Sequence, residues 1–258
     1  MKSNWHPEIN PLSKIHLTAL KKLQQKKFRK SEQQVLVESW NLLEQLIANG
    51  IKPIEVISTQ PDEVLHKFPG LSCPIFSAQE HELKNLAETE TPQSIVAVYQ
   101  IPAFEVSGYK VILYLDGIQD PGNLGTIFRI ATAFNLDGIA MSQDCCEVYS
   151  PKVIRASLGS VFWMPSETTD VAWLGKQTAD KIGLIANSEI KLEDLQLSTE
   201  KSIIIVIGSE GNGISNSVRT ELSKEVFIPI TKQMESLNAA VATGIAVYEI
   251  TQRLFLLT

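Results

Sequence analysis

The chain has 258 residues, 44% of them apolar and 20% charged, which fits a globular protein of one large or two modest domains. The opening MKSNWHPEIN lacks the apolar stretch of a secretory signal, no apolar run reaches bilayer length, and three cysteines make no disulfide framework, so a cytoplasmic setting without a membrane role is expected. The net charge of −6 is unevenly spread: residues 1–31 hold eight Lys or Arg against one Glu, the rest 15 against 28. A basic segment on an acidic body is one way for a protein to hold nucleic acid with a single region, although a lysine-rich solvated helix face has the same composition.

In chain order, residues 13–50 read as helical. Ile15, Leu20 and Leu23 recur near helical spacing, and Val35 to Ile47 forms a second amphipathic stretch ending at Asn49-Gly50. A strand is expected at Ile54–Ser58, then short elements through Val96–Tyr99, with a soft boundary at Ile101–Gly108. Beyond it the chain alternates. Strand Val111–Leu115 leads to a helix over Leu124–Phe134, strand Gly138–Ser142 and a helix starting near Pro151. A helix at Val171–Lys181, strands at Gly183–Ala186 and Ile203–Ile207, a short helix after Ser215, a strand at Val226–Ile228 and a long helix over Ser236–Leu254 follow. This βα alternation predicts an α/β fold with a mostly parallel sheet covered on both faces. The last helix is rich in small residues, including Ala239, Ala240, Ala242, Gly244 and Ala246, and carries few charges. It is expected to be buried on most sides, against the core or, the sharper expectation, against another subunit.

Three polar loops follow apolar strands, where open α/β sheets bind ligands. The first, DGIQDPGNLGTIFR (Asp116–Arg129), places Asn123 at a helix entrance, where an N-cap is the plain structural explanation. Arg129 falls about one turn further on among aliphatic neighbours, with its planar fork available for phosphate or carboxylate unless it is simply a surface arginine. The second, GSEGNG (Gly208–Gly213), has glycines that let a ligand approach the backbone and one carboxylate, Glu210. It is neither a dinucleotide fingerprint nor a Walker A loop. In the third, IPITKQMESLN (Ile228–Asn238), Ser236 is a natural N-cap of the last helix. A Ser-His-Asp arrangement fails because His6, His16, His66 and His81 all lie in the N-terminal region, and no cluster has metal-ligand spacing.

Taken in order, these stretches resemble the three motifs of the SpoU (TrmH-like) family of SPOUT methyltransferases, over residues 110–256, and PKVIRASLGSVFWMP (Pro151–Pro165) resembles the segment between the first two. The resemblance implies methyl transfer from S-adenosylmethionine to a ribose 2′-hydroxyl of tRNA or ribosomal RNA, without a metal. It also implies a parallel sheet with a C-terminal deep trefoil knot, an exception to the rule that chains avoid knots, and a homodimer formed through the knotted domain. Carried over by motif, Asn123 and Arg129 match the first, Glu210 the acidic position of the second, and Ser236 with Asn238 the polar pair of the third, all as catalytic residues. Gly208, Gly213, Ile228 and Leu237 fall where the family holds the cofactor, and Lys232 departs from a usual glycine, so that it would narrow the pocket or reach toward RNA. Residues 13–100 resemble the family's small α/β substrate-binding domain, with Lys26, Lys27, Arg29 and Lys30 as RNA contacts and Ser39 in place of a usual glycine. The implied layout is 1–101 for RNA binding, 102–109 as linker and 110–258 for methyl transfer. The alternative from another class is an inactive RNA-binding protein on a methyltransferase scaffold.

Overall fold

The computed structural model describes residues 8–89, 93–198 and 200–257, the last three by backbone alone; Lys2 and His6 of the basic segment lie outside the described residues. The chain forms two compact units, one from Met1–Pro102 with Tyr149–Phe162, the other from Ala103–Val148 with Trp163–Thr258.

The first unit holds strands β1 (Ile9–Pro11), β2 (Gln34–Glu38), β3 (Glu55–Ser58), β4 (Ile75–Ser77) and β5 (Ile95–Gln100) in the order β1-β4-β3-β5-β2. Helices α1 (Lys14–Lys22), α2 (Lys26–Glu32), α3 (Trp40–Ala48), α4 (Pro61–Lys67) and α5 (Glu80–Lys84) connect them. Leu20, Leu23, Leu36, Ile57, Leu83 and Val96 belong to one buried cluster. The expected single helix over Val35–Ile47 is instead strand β2 followed by α3. Val35 and Val37 are stiff at χ1, and Val35-Leu36-Val37 pairs antiparallel with β5 and is buried at all three positions, which suits a sheet strand covered on both faces. Ile15, expected on the apolar face of α1, is 86% exposed.

Ser39 links β2 to α3 at φ +110°, and its hydroxyl caps α3 by accepting from the Leu42 N–H at 3.4 Å. A side chain at that φ costs about 1–3 kcal/mol, while replacing a serine cap by glycine costs a few tenths. Ser39→Gly is therefore expected to stabilise the chain by about 1 kcal/mol, raising the melting temperature by about 2–4 °C after glycine's own entropy cost. A calorimetric scan checks this, and a lowered midpoint would show that the hydroxyl outweighs the strain.

The second unit is built on seven parallel strands. In chain order come β6 (Val111–Asp116), α6 (Pro121–Ala133), β7 (Gly138–Ser142), then α7 (Pro151–Ala156) belonging to the first unit. They are followed by β8 (Ser166–Thr169), α8 (Val171–Lys176), β9 (Asp180–Leu184), β10 (Ile190–Lys191), β11 (Ile203–Gly208), α9 (Asn216–Arg219), β12 (Lys224–Phe227) and α10 (Ala239–Leu257). The order β10-β12-β9-β11-β6-β7-β8 reverses direction between β6 and β11. Helix α8 stops at Lys176, five residues short of expectation, and Lys181 is taken into β9. Helix α6 starts three residues early because Asp120 caps it and Pro121 opens it. Helix α10 is buried or half-buried on most sides, as expected, and leaves one stripe bare. Val241, Ile245 and Tyr248, spaced to share one face, are 52%, 40% and 55% exposed.

Candidate active site

Strands β6 and β11 lie side by side in parallel, with Asp116 opposite Gly208, so the loops leaving their carboxyl ends share one edge of the sheet. Asp116 is buried and ties them together, its Oδ2 accepting from the Ser215 N–H at 2.7 Å. Gly117 turns the chain at φ +72° and donates its N–H to the Ser142 Oγ at 2.9 Å. The N-cap of α6 is Asp120, whose carboxylate accepts from the Asn123 N–H at 2.8 Å. Asn123 is thus the third helical residue, and the expectation that it caps the helix is overturned. Its amide is free to act elsewhere.

Its amide nitrogen donates to the Glu210 Oε1, across 87 residues of sequence. Its oxygen accepts from the Asn238 Nδ2 at 2.8 Å. Asn238 in turn caps α10, its Oδ1 accepting from the Ala240 and Val241 N–H groups at 3.0 and 3.2 Å. The cap expected at Ser236 is therefore at Asn238, because α10 begins at Ala239. One residue from each of the three motif loops enters this chain of hydrogen bonds.

Glu210 also lines a pocket of about 490 Å³, within the size range of small-ligand sites. Its walls come from the chain after β9 (Ala186, Asn187), the β11 loop (Gly208 to Gly213), the chain after β12 (Ile228, Ile230) and Ser236, Leu237 and Ala239 at the start of α10. Gly208, Gly213, Ile228, Ser236 and Leu237, named from the sequence, all lie on it; Lys232 does not line it and is exposed. The β11 loop folds back on itself, with reciprocal backbone bonds between Ser209 and Gly213 at 2.9 and 3.0 Å. Gly208 is required by that fold and not by ligand approach: a Cβ there would stand 2.1 Å from the Gly213 carbonyl carbon. Gly213 has φ +66°.

Burial, with help from Cys145, Asp120 and Glu210, pushes the nearby Cys146 thiol up to about 11. Cys145 is raised as well, chiefly by burial. Both remain protonated thiols at neutral pH and are poor nucleophiles.

Arg129 does not join the cluster. It lies more than two turns into α6, about 12 Å along the helix from Pro121 at 1.5 Å per residue, and is exposed. The reason is the early start of α6, and no hydrogen bond or ion pair holds the guanidinium among the described residues. Of the basic set, Lys26, Lys27 and Lys30 are exposed, while Arg29 is buried and donates to the Leu23 and Gln24 carbonyls at 2.9 and 2.7 Å. Arg29 clasps the turn between α1 and α2, so the expectation that it contacts RNA is corrected. Sequence reasoning missed Asp116, Asp120 and Ser142 as site-builders; the Asp-Pro pair at 120–121, a cap followed by a first-turn proline, was the available signal. Among the described residues no group of three or more His, Cys, Asp or Glu could hold a metal, and no helix is long and apolar enough to cross a membrane.

Comparison with known proteins matches residues 110–248 to the SpoU rRNA methylase family and residues 15–97 to an MRM3-like substrate binding domain. An uncharacterised tRNA/rRNA methyltransferase of Synechocystis is 34% identical over 93% of this chain and 90% of its own length. The Bacillus subtilis 23S rRNA (guanosine(2553)-2′-O)-methyltransferase RlmP is 28% identical over 89% of this chain and 93% of its own. Among solved structures, a TrmH-family protein from Porphyromonas gingivalis superposes with a TM-score of 0.82 at 29% identity, covering 94% of this chain and 99% of that one. An AdoMet-bound rRNA methyltransferase from Sinorhizobium meliloti shares the fold, with a TM-score of 0.81 at 23% identity over 96% and 98% of the two chains. With more than half of its length matched by the family and a relative aligned along almost all of it, the chain belongs to the SpoU rRNA methylase family.

Proposed function

We propose that this chain transfers the methyl group of S-adenosylmethionine to a ribose 2′-hydroxyl of structured RNA, ribosomal RNA first and tRNA second. The observation that carries the reading is the hydrogen-bonded set Asn123, Glu210 and Asn238, one residue per motif loop, abutting a ligand-sized pocket in a SpoU-family chain. The pocket fits the cofactor chemically: aliphatic walls at Ile228 and Leu237 suit an adenine ring, and Asn187, Asn212 and Ser236 offer polar partners. Gly208, Gly213, Ile228 and Leu237 would hold S-adenosylmethionine, which supplies an electrophilic methyl group on a charged sulfur.

As the new oxygen–carbon bond forms the sulfur–carbon bond breaks, leaving S-adenosylhomocysteine, and the hydroxyl proton leaves late, to water; because this disperses charge, the residues are asked mainly to align the ribose. Orientation of bound reactants accounts for about 7–11 kcal/mol of barrier in favourable cases. Asn123, Glu210, Ser236 and Asn238 are assigned to that alignment. Arg129, exposed and without a partner among the described residues, is assigned to clamp the adjacent phosphate as a charged fork. Nothing in the comparisons favours the alternative of an inactive RNA-binding scaffold.

In the same reading, residues 1–101 bind RNA, 102–109 link, and 110–258 carry out methyl transfer in the cytoplasm. Exposed Lys26, Lys27 and Lys30 supply phosphate contacts, whose contribution falls with salt. The trefoil knot belongs to the same reading. The exposed stripe Val241, Ile245 and Tyr248 supports a homodimer through α10. Wild-type protein is expected to sediment at about twice its 28.6 kDa chain mass, and Ile245→Asp at the single-chain mass. A wild-type monomer would remove the dimer from this reading.

The function is tested by labelled methyl transfer into total tRNA and ribosomal RNA from cells lacking the protein, followed by nucleoside analysis. Label in a 2′-O-methylated nucleoside supports the reading and identifies the RNA class. No label, together with no binding of S-adenosylmethionine, would overturn it in favour of an RNA-binding scaffold.

A further inference from the structure

The hydrogen bonds of the cluster have a direction that can be worked out from one end. At the start of α10, Asn238 faces two backbone N–H groups, which only donate, so its oxygen must be the atom turned toward them. That leaves its amide nitrogen, a donor, facing Asn123 at 2.8 Å. Asn123 must then present its oxygen to Asn238 and its nitrogen to Glu210. Glu210 is left accepting with Oε1, and its other oxygen has no partner among the described residues. Glu210 is on the pocket wall, while Asn123 and Asn238 are not.

We infer that Asn238 is a positioning residue: through Asn123, the capped end of α10 holds Glu210 by its Oε1 and leaves the second carboxylate oxygen, an acceptor, for the pocket. The ligand group seated beside Glu210 is accordingly a donor, and, resting on the methyl-transfer reading above, that donor is the ribose 2′-hydroxyl. A backbone helix terminus thus sets the position of a recognition atom two side chains away, and would set its polarity too were that side chain an amide.

Glu210→Gln can keep the bond from Asn123 by offering its amide oxygen, but then turns a donor toward the pocket. Asn238→Asp still caps α10 equally well, yet faces the Asn123 oxygen with an acceptor. Asn123 must then flip and set its oxygen against Glu210, so one junction is always lost. Combining the two changes reverses the whole chain: Asn123 donates to the new aspartate and accepts from the new glutamine, whose oxygen again faces the pocket.

Thermal unfolding of the four proteins is the first readout. Glu210→Gln is expected to melt with wild type, Asn238→Asp about 4 °C lower, and the double variant to recover at least half of that loss. A double variant no more stable than Asn238→Asp would overturn the relay. The second readout is turnover on the methylated RNA, where Glu210→Gln is expected to fall at least 10-fold and the double variant to exceed both single changes. Wild-type turnover in Glu210→Gln would overturn the need for an acceptor. If wild type transfers no methyl group, the function reading fails while the unfolding cycle still decides the relay.

Discussion

Arg129→Lys is expected to lower turnover about 100-fold, the scale on which losing one oriented charged donor acts in a transition state, and to leave the melting temperature within about 2 °C of wild type. The stability half follows from exposure: nothing among the described residues bonds the guanidinium, and surface changes of that kind stay within about 0.5 kcal/mol. The activity half separates a clamp from a base. Lysine keeps the positive charge and gives up a proton more readily than arginine, but it lacks the planar fork that grips phosphate at two points. A residue that served as proton acceptor would be replaced by lysine with little loss. A residue that orients a phosphate would not. The decisive measurement is kcat and KM for RNA, with cofactor-analogue affinity as the control. A loss confined to kcat marks alignment made only in the transition state, whereas a rise in KM alone marks ordinary binding. Near-normal turnover in the lysine variant would sink the clamp.

What could be read from the sequence depended on whether the signal was local. Strand β11 announces itself as an unbroken aliphatic run and β6 as an apolar run interrupted only by Tyr114, since central strands of a parallel sheet are buried on both faces. Strand β8, Ser-Glu-Thr-Thr at the sheet edge, carries no such signal and is a strand only because β7 offers it partners. Val35–Val37 misled because a short apolar run fits either period until its partner β5, more than 50 residues on, is known. At the site, the three loops were legible as motifs, but not the roles inside them. Asn123 and Ser236 both look like caps from their neighbours, yet Asp120 and Asn238 hold those positions. Arg29 looks like its lysine neighbours in composition and is separated from them only by burial under its own turn. Such assignments turn on which of several adjacent polar residues meets the helix end, and that is settled by tertiary packing.

Gly208→Ala is expected to be the most damaging single methyl group in the second unit. The added Cβ would meet the Gly213 carbonyl carbon, the Ile214 nitrogen and the Gly213 oxygen at 2.1, 2.2 and 2.3 Å. All three are backbone atoms of the returning loop, so no side chain can swing aside. The loop must open, and the paired bonds between Ser209 and Gly213 go with it. Overpacking of this kind costs at least about 2 kcal/mol, or about 4–8 °C in melting temperature for a chain of this size. The same displacement moves Glu210 and the pocket wall, so affinity for S-adenosylhomocysteine should fall more than about 10-fold, which is only 1.4 kcal/mol. Gly211→Ala is the control, because a Cβ there meets nothing within 4 Å and the loop can keep its shape. Scanning calorimetry and titration on both variants decide the matter. Equal stability of Gly208→Ala and wild type would mean that the return of the loop is not fixed by backbone contact. The pocket wall would then have to be held by the ligand, with Glu210 finding its place only on binding.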